Sequence, residues 1–331
     1  MLEDPRLDLA ELTDAIRAGY GLSATRFGFV RGYDQQAVSY RLGLADGQDR
    51  FLKVRLSPPS SDVPLEVPRA LLDAGIDAVL APIRTLDGQL AHPIGDGRSL
   101  VLYPFAAGRS GMSGMDEAQW RSFGRALRAV HDSDLERQFA DRLPAERFAL
   151  LSADQVRALL EGAGGAAASA ERLARLLTER GDEIGRMLDR AEELRRRLAT
   201  RNFERVLCHA DIHAANLLIT DDSDVLLVDW DGPMLAPRER DLLFVIGSRI
   251  ARAVEPHEEA WFFAGYGEPP RPVDGEAIVY YRYERIFEDL AAIGESVHGV
   301  VDVPESSRLE EVELAESFFA PGGIIESVEW T

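Results

Sequence analysis

Cysteine is almost missing from this chain of 331 residues. Cys208 stands alone, so no internal disulfide framework can staple the fold, and a reducing compartment is expected. Basic side chains are in the minority, 37 Lys and Arg against 57 Asp and Glu, which leaves a net charge of −20. Nucleic acid as a partner would need basic patches, so that class is excluded. The excess acid suits the steering of a cationic molecule, or serves solubility alone. Long apolar runs are absent as well: none approaches the roughly 18 residues of a membrane span. The start, Met1-Leu2-Glu3-Asp4-Pro5, has neither the basic stretch nor the apolar stretch of a secretory signal. The expectation is a cytoplasmic protein with no membrane partner. Hydrophobic residues make up 46% of the chain, ample for a core, and the length suits about two domains of roughly 100–200 residues.

Leu9, Leu12, Ile16 and Tyr20 recur at near-helical spacing and Gly21 ends the run, so a helix is expected over 7–20. Short strands follow at 27–30, 37–44 and 50–56, then a helix over 67–74 with Pro68 in its first turn, then strands at 79–83, 89–94 and 99–105. That order describes an antiparallel sheet with one packed helix. From Met115 onward the pattern turns helical, with Trp120, Phe123, Leu127 and Val130 forming one buried stripe. Further helical stretches cover 171–198 and 278–297, and the small-residue tract 162–168 breaks two helices apart. The fold class is therefore α+β: a sheet-based unit over 1–105 and a mainly helical one over 106–331.

The chemistry concentrates in His209-Ala210-Asp211-Ile212-His213-Ala214-Ala215-Asn216 and in Val228-Asp229-Trp230-Asp231, where Asp229 lies thirteen residues after Asn216. A carboxylate followed by an amide and a second carboxylate is the donor set of a phosphotransfer centre. Asp211 is the candidate base, placed to accept a proton from an attacking hydroxyl. Asn216 and Asp229 offer hard oxygens suited to Mg²⁺ on a nucleotide triphosphate. Short apolar runs at 206–208, 217–219 and 225–228 hold these residues on loops between strands. His209 reads as a brace for its loop; His213 either touches phosphate or packs.

Lys53 interrupts an apolar strand, Phe51-Leu52-Lys53-Val54. Pointing inward it would grip the α- and β-phosphates of ATP while held by a carboxylate; pointing outward it is an ordinary solvent-facing lysine. Glu66 is the first choice of partner and Asp62 the second. No Gly-x-x-x-x-Gly-Lys-Ser/Thr is present, which excludes a P-loop fold. The turn 30–37 carries only Gly32 to cradle phosphate, and Tyr103 and Phe105, closing the last strand of the first unit, mark where an adenine would meet backbone. Residues 281–289 offer Glu284, Glu288 and Asp289 to an amine-bearing substrate, or to Arg282 and Arg285 at helical spacing.

With these residues in place the chain resembles the aminoglycoside phosphotransferase family. The segments 206–216, 229–241 and 280–290 are similar, within that family, to the spectinomycin phosphotransferases. The resemblance implies a two-lobed protein-kinase-like fold, with 1–105 as a nucleotide-binding lobe and 106–331 as a catalytic and substrate-binding lobe. It implies ATP and Mg²⁺ as cofactors, Asp211 as catalytic, Asn216 and Asp229 as metal ligands, and Asp241 as an anchor for the catalytic loop. The expected activity is transfer of the γ-phosphate to a hydroxyl of a small polar, cationic molecule, with spectinomycin or a related aminocyclitol first. A protein serine/threonine kinase of the same fold and a silent nucleotide-binding module are the alternatives.

Overall fold

The computed structural model describes residues 4–32, 36–162, 164–300 and 304–329. In chain order its elements are α1 (Leu9–Tyr20), β1 (Ala24–Val30), β2 (Ala37–Leu44), β3 (Asp49–Arg55), α2 (Val63–Asp73), β4 (His92–Gly95), β5 (Arg98–Pro104) and β6 (Gly108–Ser110). Then come α3 (Glu117–His131), α4 (Leu135–Gln138), α5 (Ala153–Gly162), α6 (Ala168–Leu198), β7 (Val206–Cys208), β8 (Leu217–Thr220), β9 (Val225–Leu227) and β10 (Met234–Ala236). Four α-helices follow: α7 (Glu239–Leu242), α8 (Pro256–Tyr266), α9 (Gly275–Val297) and α10 (Glu305–Phe318), with a short 3-10 turn at Ile324–Ser327 after them. The fold is α+β, an antiparallel sheet followed by a mainly helical region. No helix among the described residues is long and apolar enough to cross a membrane.

Two compact units form, each gathered from more than one stretch of the chain. The first joins residues 1–114 to 133–143 and 216–233; the second takes 115–132, 144–215 and 234–331. The physical reason lies in β9. Leu227 donates its N–H to the carbonyl of Ala78 (2.7 Å) and accepts from the N–H of Leu80 (3.1 Å). The stretch 79–83, expected as a strand, instead contributes a single parallel bridge, Val79 to Leu227. β8 lies between β6 and β9, so the whole three-stranded sheet belongs with the first unit.

In the first unit the strand order is β1-β2-β3-β5-β4, every pair antiparallel. Leu52 and Val54 of β3 are fully buried, in one cluster with Leu12, Ile16 and Tyr20 of α1 and Val38, Tyr40 and Leu42 of β2. Successive side chains on a strand point to opposite faces, so that packing sends Phe51, Lys53 and Arg55 to the face away from α1. Gly21 closes α1 at φ 68°, as its sequence foretold, but the helix starts at Leu9 rather than Leu7, because Asp8 caps it by accepting from the N–H groups of Ala10 and Glu11. α2 starts earlier than expected. Pro64 occupies its first turn, and Pro68 lies inside the helix.

The second unit is built around α9, whose buried residues run round its circumference, from Ile278 and Tyr281 to Phe287 and Leu290. Elsewhere in the unit α3 and α8 pack backbone to backbone. A Cβ on Gly124 would strike the Phe262 carbonyl, and one on Gly265 would strike the Arg121 carbonyl. Phe123 meets Phe262 edge-on at 5.0 Å between ring centroids, and the Trp120 indole N–H donates to Glu258 at 3.2 Å.

Gly124→Ala should therefore force the two helices apart and destabilise the protein by about 1–3 kcal/mol. Gly185→Ala, on α6 where a Cβ would meet nothing within 4 Å, should instead stabilise by about 0.5–1 kcal/mol. Denaturant unfolding of the two variants beside the parent checks both signs.

Candidate active site

The thirteen-residue spacing between Asn216 and Asp229 is a hairpin. β8 and β9 pair antiparallel with Leu217 opposite Leu227, so the residue before β8 and those after β9 emerge at the same end. The Val228 N–H donates to the Asn216 carbonyl at 3.0 Å and closes that end. At the far end Thr220 accepts from Ser223 at 2.9 Å, with Ser223 at φ 68°. Asp229 itself sits at φ 65°, a left-handed conformation that Asp tolerates better than most residues. Trp230 is buried and donates its indole N–H to the Leu227 carbonyl at 3.2 Å, pinning the turn that carries the two acids.

Lys53 reaches these acids. Its ammonium lies 2.7 Å from Asp231 Oδ2 and 3.8 Å from Asp229 Oδ1, and its side chain is only 15% exposed. Desolvation works to raise the Asp231 carboxyl, but the charge and hydrogen bond of Lys53 outweigh it and hold Asp231 below the ordinary carboxylate range. The inward reading of Lys53 is the one the fold adopts, with a different partner from those expected. Glu66 is taken by Arg142 in a bidentate pair (2.5 and 2.7 Å), and Asp62 pairs with Arg55 at 3.1 Å. Arg142 outcompetes a lysine here because its planar fork matches both carboxylate oxygens.

A signal for Lys53 was present in the sequence: it is the single lysine among 37 basic side chains. Asp231, missed as its partner, stands two residues from Asp229, so a bend at Trp230 brings both carboxylates to one cation. Tyr103, on β5, packs its ring 6.3 Å from Phe51, and burial pushes its phenol up to about 12. Phe105 carries the Arg41 guanidinium 4.3 Å above its ring. Gly32 lies at the end of β1 with open space around it, while Tyr33, Asp34 and Gln35 of the expected cradle fall outside the described residues.

The carboxylates and amide of this unit are suited to a divalent cation. Asp229 and Asp231 are 53% and 59% exposed at the side chain, are hard oxygen donors, and share one hairpin end with Asn216.

Asp211 belongs to the second unit, on the loop that leaves β7. Its backbone is clamped by Asp241, which is completely buried and accepts from the N–H of His209 (2.9 Å) and of Ala210 (2.7 Å). Ala210 is held at φ 70°. His131 bridges Asp241 (3.0 Å) and the Tyr266 hydroxyl (2.7 Å). Burial works to raise the Asp241 carboxyl, yet the hydrogen bond and charge of His131, with help from His209, hold it low. His209 is buried, and its Nδ1 accepts the Asp211 N–H at 3.4 Å, so it braces the loop. His213 stands 3.6 Å from Asp211 Oδ1 and edge-on to Phe244; burial lowers its affinity for a proton.

The three acids expected to bind an amine are engaged within the unit. Arg240 donates to Glu284 (3.3 Å) and to Glu288 (3.2 Å), and Arg285 donates through Nε to Asp289 (3.1 Å). Glu284 also accepts from the Tyr280 hydroxyl at 3.0 Å and is nearly inaccessible, so it is a core residue. The intrahelical alternative is half right. Arg285 does pair one turn along α9, but Arg282 donates to the carbonyls of Ser327 (3.0 Å) and Val328 (3.2 Å). Glu288 is the most open of the three, at 39%.

One guanidinium shared by two acids leaves Glu284 poorly compensated, and burial pushes its carboxyl up to about 7. A raised folded value means that folding takes up a proton between the ordinary carboxylate value and neutrality. That contribution to stability is present at low pH and lost as pH rises through about 7. Glu284→Gln, permanently neutral, should therefore gain in melting temperature relative to the parent between about pH 5 and pH 8, as measured by thermal unfolding.

Comparison with known proteins agrees with this chemistry. Residues 30–277 match the profile of the phosphotransferase enzyme family. Protein StrN of Streptomyces griseus is 29% identical over 184 residues; the match takes in 53% of this chain and 57% of that protein, so the chain spans little more than half of this relative's length. Among solved structures, spectinomycin phosphotransferase APH(9)-Ia in complex with ADP and spectinomycin superposes with a TM-score of 0.87 at 28% identity over 99% of both chains. Its AMP-bound complex gives 0.85 over 97% of this chain and 98% of that one. Amicoumacin kinase hAmiN shares the fold at a TM-score of 0.60, 16% identity, and 96% of each chain. The chain is a member of the phosphotransferase enzyme family, with the kinase-like fold of the aminoglycoside phosphotransferases.

Proposed function

We propose that this protein transfers the γ-phosphate of ATP to a hydroxyl of a small polar, cationic molecule, with spectinomycin or a related aminocyclitol first in line, and that it does so in the cytoplasm. The observation that carries the reading is the hairpin end where Lys53 is tied to Asp231 and Asp229 beside Asn216. A lone ammonium among exposed carboxylates is suited to a triphosphate and its metal. Likeness to a spectinomycin phosphotransferase over essentially the whole chain supports the choice of acceptor.

In this reading residues 1–105 supply nucleotide binding and 106–331 supply catalysis and the acceptor site. Lys53 meets the α- and β-phosphates, and Gly32, Tyr103 and Phe105 line the nucleotide. Asn216 and Asp229 would hold Mg²⁺, which when bound neutralises charge on the triphosphate. Asp211 accepts a hydrogen bond from the acceptor hydroxyl and takes its proton late in the transfer. The hydroxyl oxygen forms the new bond to the γ-phosphorus as the bridging bond to the β-phosphate breaks, and that electron pair leaves with ADP. Glu288, the most open of the three acids considered above, is the candidate for an amine of the substrate.

A coupled ADP assay across aminocyclitols, aminoglycosides, macrolides, choline and sugars should give turnover with a cationic aminocyclitol. Asp211→Asn should lower kcat by about 10²–10⁴-fold. Undiminished turnover in that variant would remove the assigned base. Asp229→Ala should raise the Mg²⁺ concentration needed for half-maximal rate at least about tenfold, read from Mg²⁺ titrations at constant ATP.

A further inference from the structure

We propose that Arg285 is a positioning residue for Asp211, aiming the carboxylate that receives the acceptor's proton; this rests on the reading of Asp211 given above. Arg285 lies midway along α9 with its side chain 20% exposed. Nη1 of its guanidinium meets Asp211 Oδ1, and Nε donates to Asp289 Oδ2 at 3.1 Å. Asp289 stands four residues further along the same helix and is itself only 25% exposed. One rigid, planar group thus spans from a buried helix to the loop carboxylate, and it cannot swing without leaving Asp289.

The need for such a group follows from the loop. Asp241 fixes the backbone of His209 and Ala210, and His209 takes the Asp211 N–H, all contacts to the main chain. Arg285 grips the carboxylate itself, on the same Oδ1 that His213 approaches at 3.6 Å. Burial works against the guanidinium's charge, but Asp289 and Asp211 together more than restore it. Arginine also offers donors only, so it orients the carboxylate without competing for the hydroxyl proton. Stability is a thin explanation for the contact, because Asp211 is 39% exposed and water screens its side of the pair.

The test uses the full chain, MgATP and the best acceptor of the panel, or water if no acceptor turns over. Arg285→Ala strands Asp289, so the variant that keeps the fold is the double substitution Arg285→Met with Asp289→Asn. It should lower kcat about 10–100-fold while KM for MgATP stays within about twofold. Introduced into Asp211→Asn, the same pair should lower kcat by no more than about twofold beyond Asp211→Asn alone, because both changes disable one group. Near-normal kcat in the Arg285→Met, Asp289→Asn double variant, alongside a crippled Asp211→Asn, would overturn the proposal. So would losses that multiply in the combined variant, or a fall in kcat matched by a rise in KM and a lower melting point, which would make the role structural. Full activity of Asp211→Asn removes the base assignment itself, and the proposal with it, before any Arg285 variant is made.

Discussion

A carboxylate shut away from water must have donors supplied by the protein, and Asp241 is the most deeply enclosed acid among the described residues. It solves the problem by accepting two successive backbone N–H groups from the loop after β7, with His131 on its remaining side. That choice makes the loop rigid. Ala210 is forced to a positive φ that alanine otherwise avoids, and Asp211 is thereby carried to a defined place at the end of β7. Breaking the arrangement would leave a buried charge with nothing to meet it, so the loop and the charge hold each other in place.

The residue beside Asp241 extends the same logic into the helical core. Arg240 is buried, faces Glu284 and Glu288 of α9, and lies over the Tyr281 ring at 5.5 Å. Adjacent positions on one short helix therefore govern two things, the course of the loop through Asp241 and the seating of α9 through Arg240. α9 in turn presents Arg285 to Asp211. Loop backbone and loop side chain are both set by buried charges, and each of those charges is paired. In the other unit the economy is similar: a single lysine, placed by strand parity on the face away from α1, serves two acids at a hairpin end.

Much of this was legible from residues alone where local rules act. The apolar periodicity of α1 and the glycine that ends it, the strand at 206–208 and the stripe of α3 are visible because neighbours along the chain decide them. The string from His209 to Asn216, with Asp229 after it, announced phosphotransfer because that chemistry demands oxygen donors in a set order. Asp241 as loop anchor was foreseen only through family resemblance, since nothing local reveals which acid will be buried. Residues 79–83 misled because short apolar runs look alike whether they enter a sheet or make one bridge to Leu227.

The amino-acid sequence by itself determined which atoms are available: one lysine, the carboxylates of Asp211, Asp229 and Asp231, the amide of Asn216, and an excess of negative charge. Which acid serves which base was decided only by the tertiary structure. Glu66 stood nearer to Lys53 along the chain, yet Arg142 claimed it, and Asp231, 178 positions away, took the lysine. Ion pairs act through space at distances of a few ångströms, and only folding determines which charges come that close.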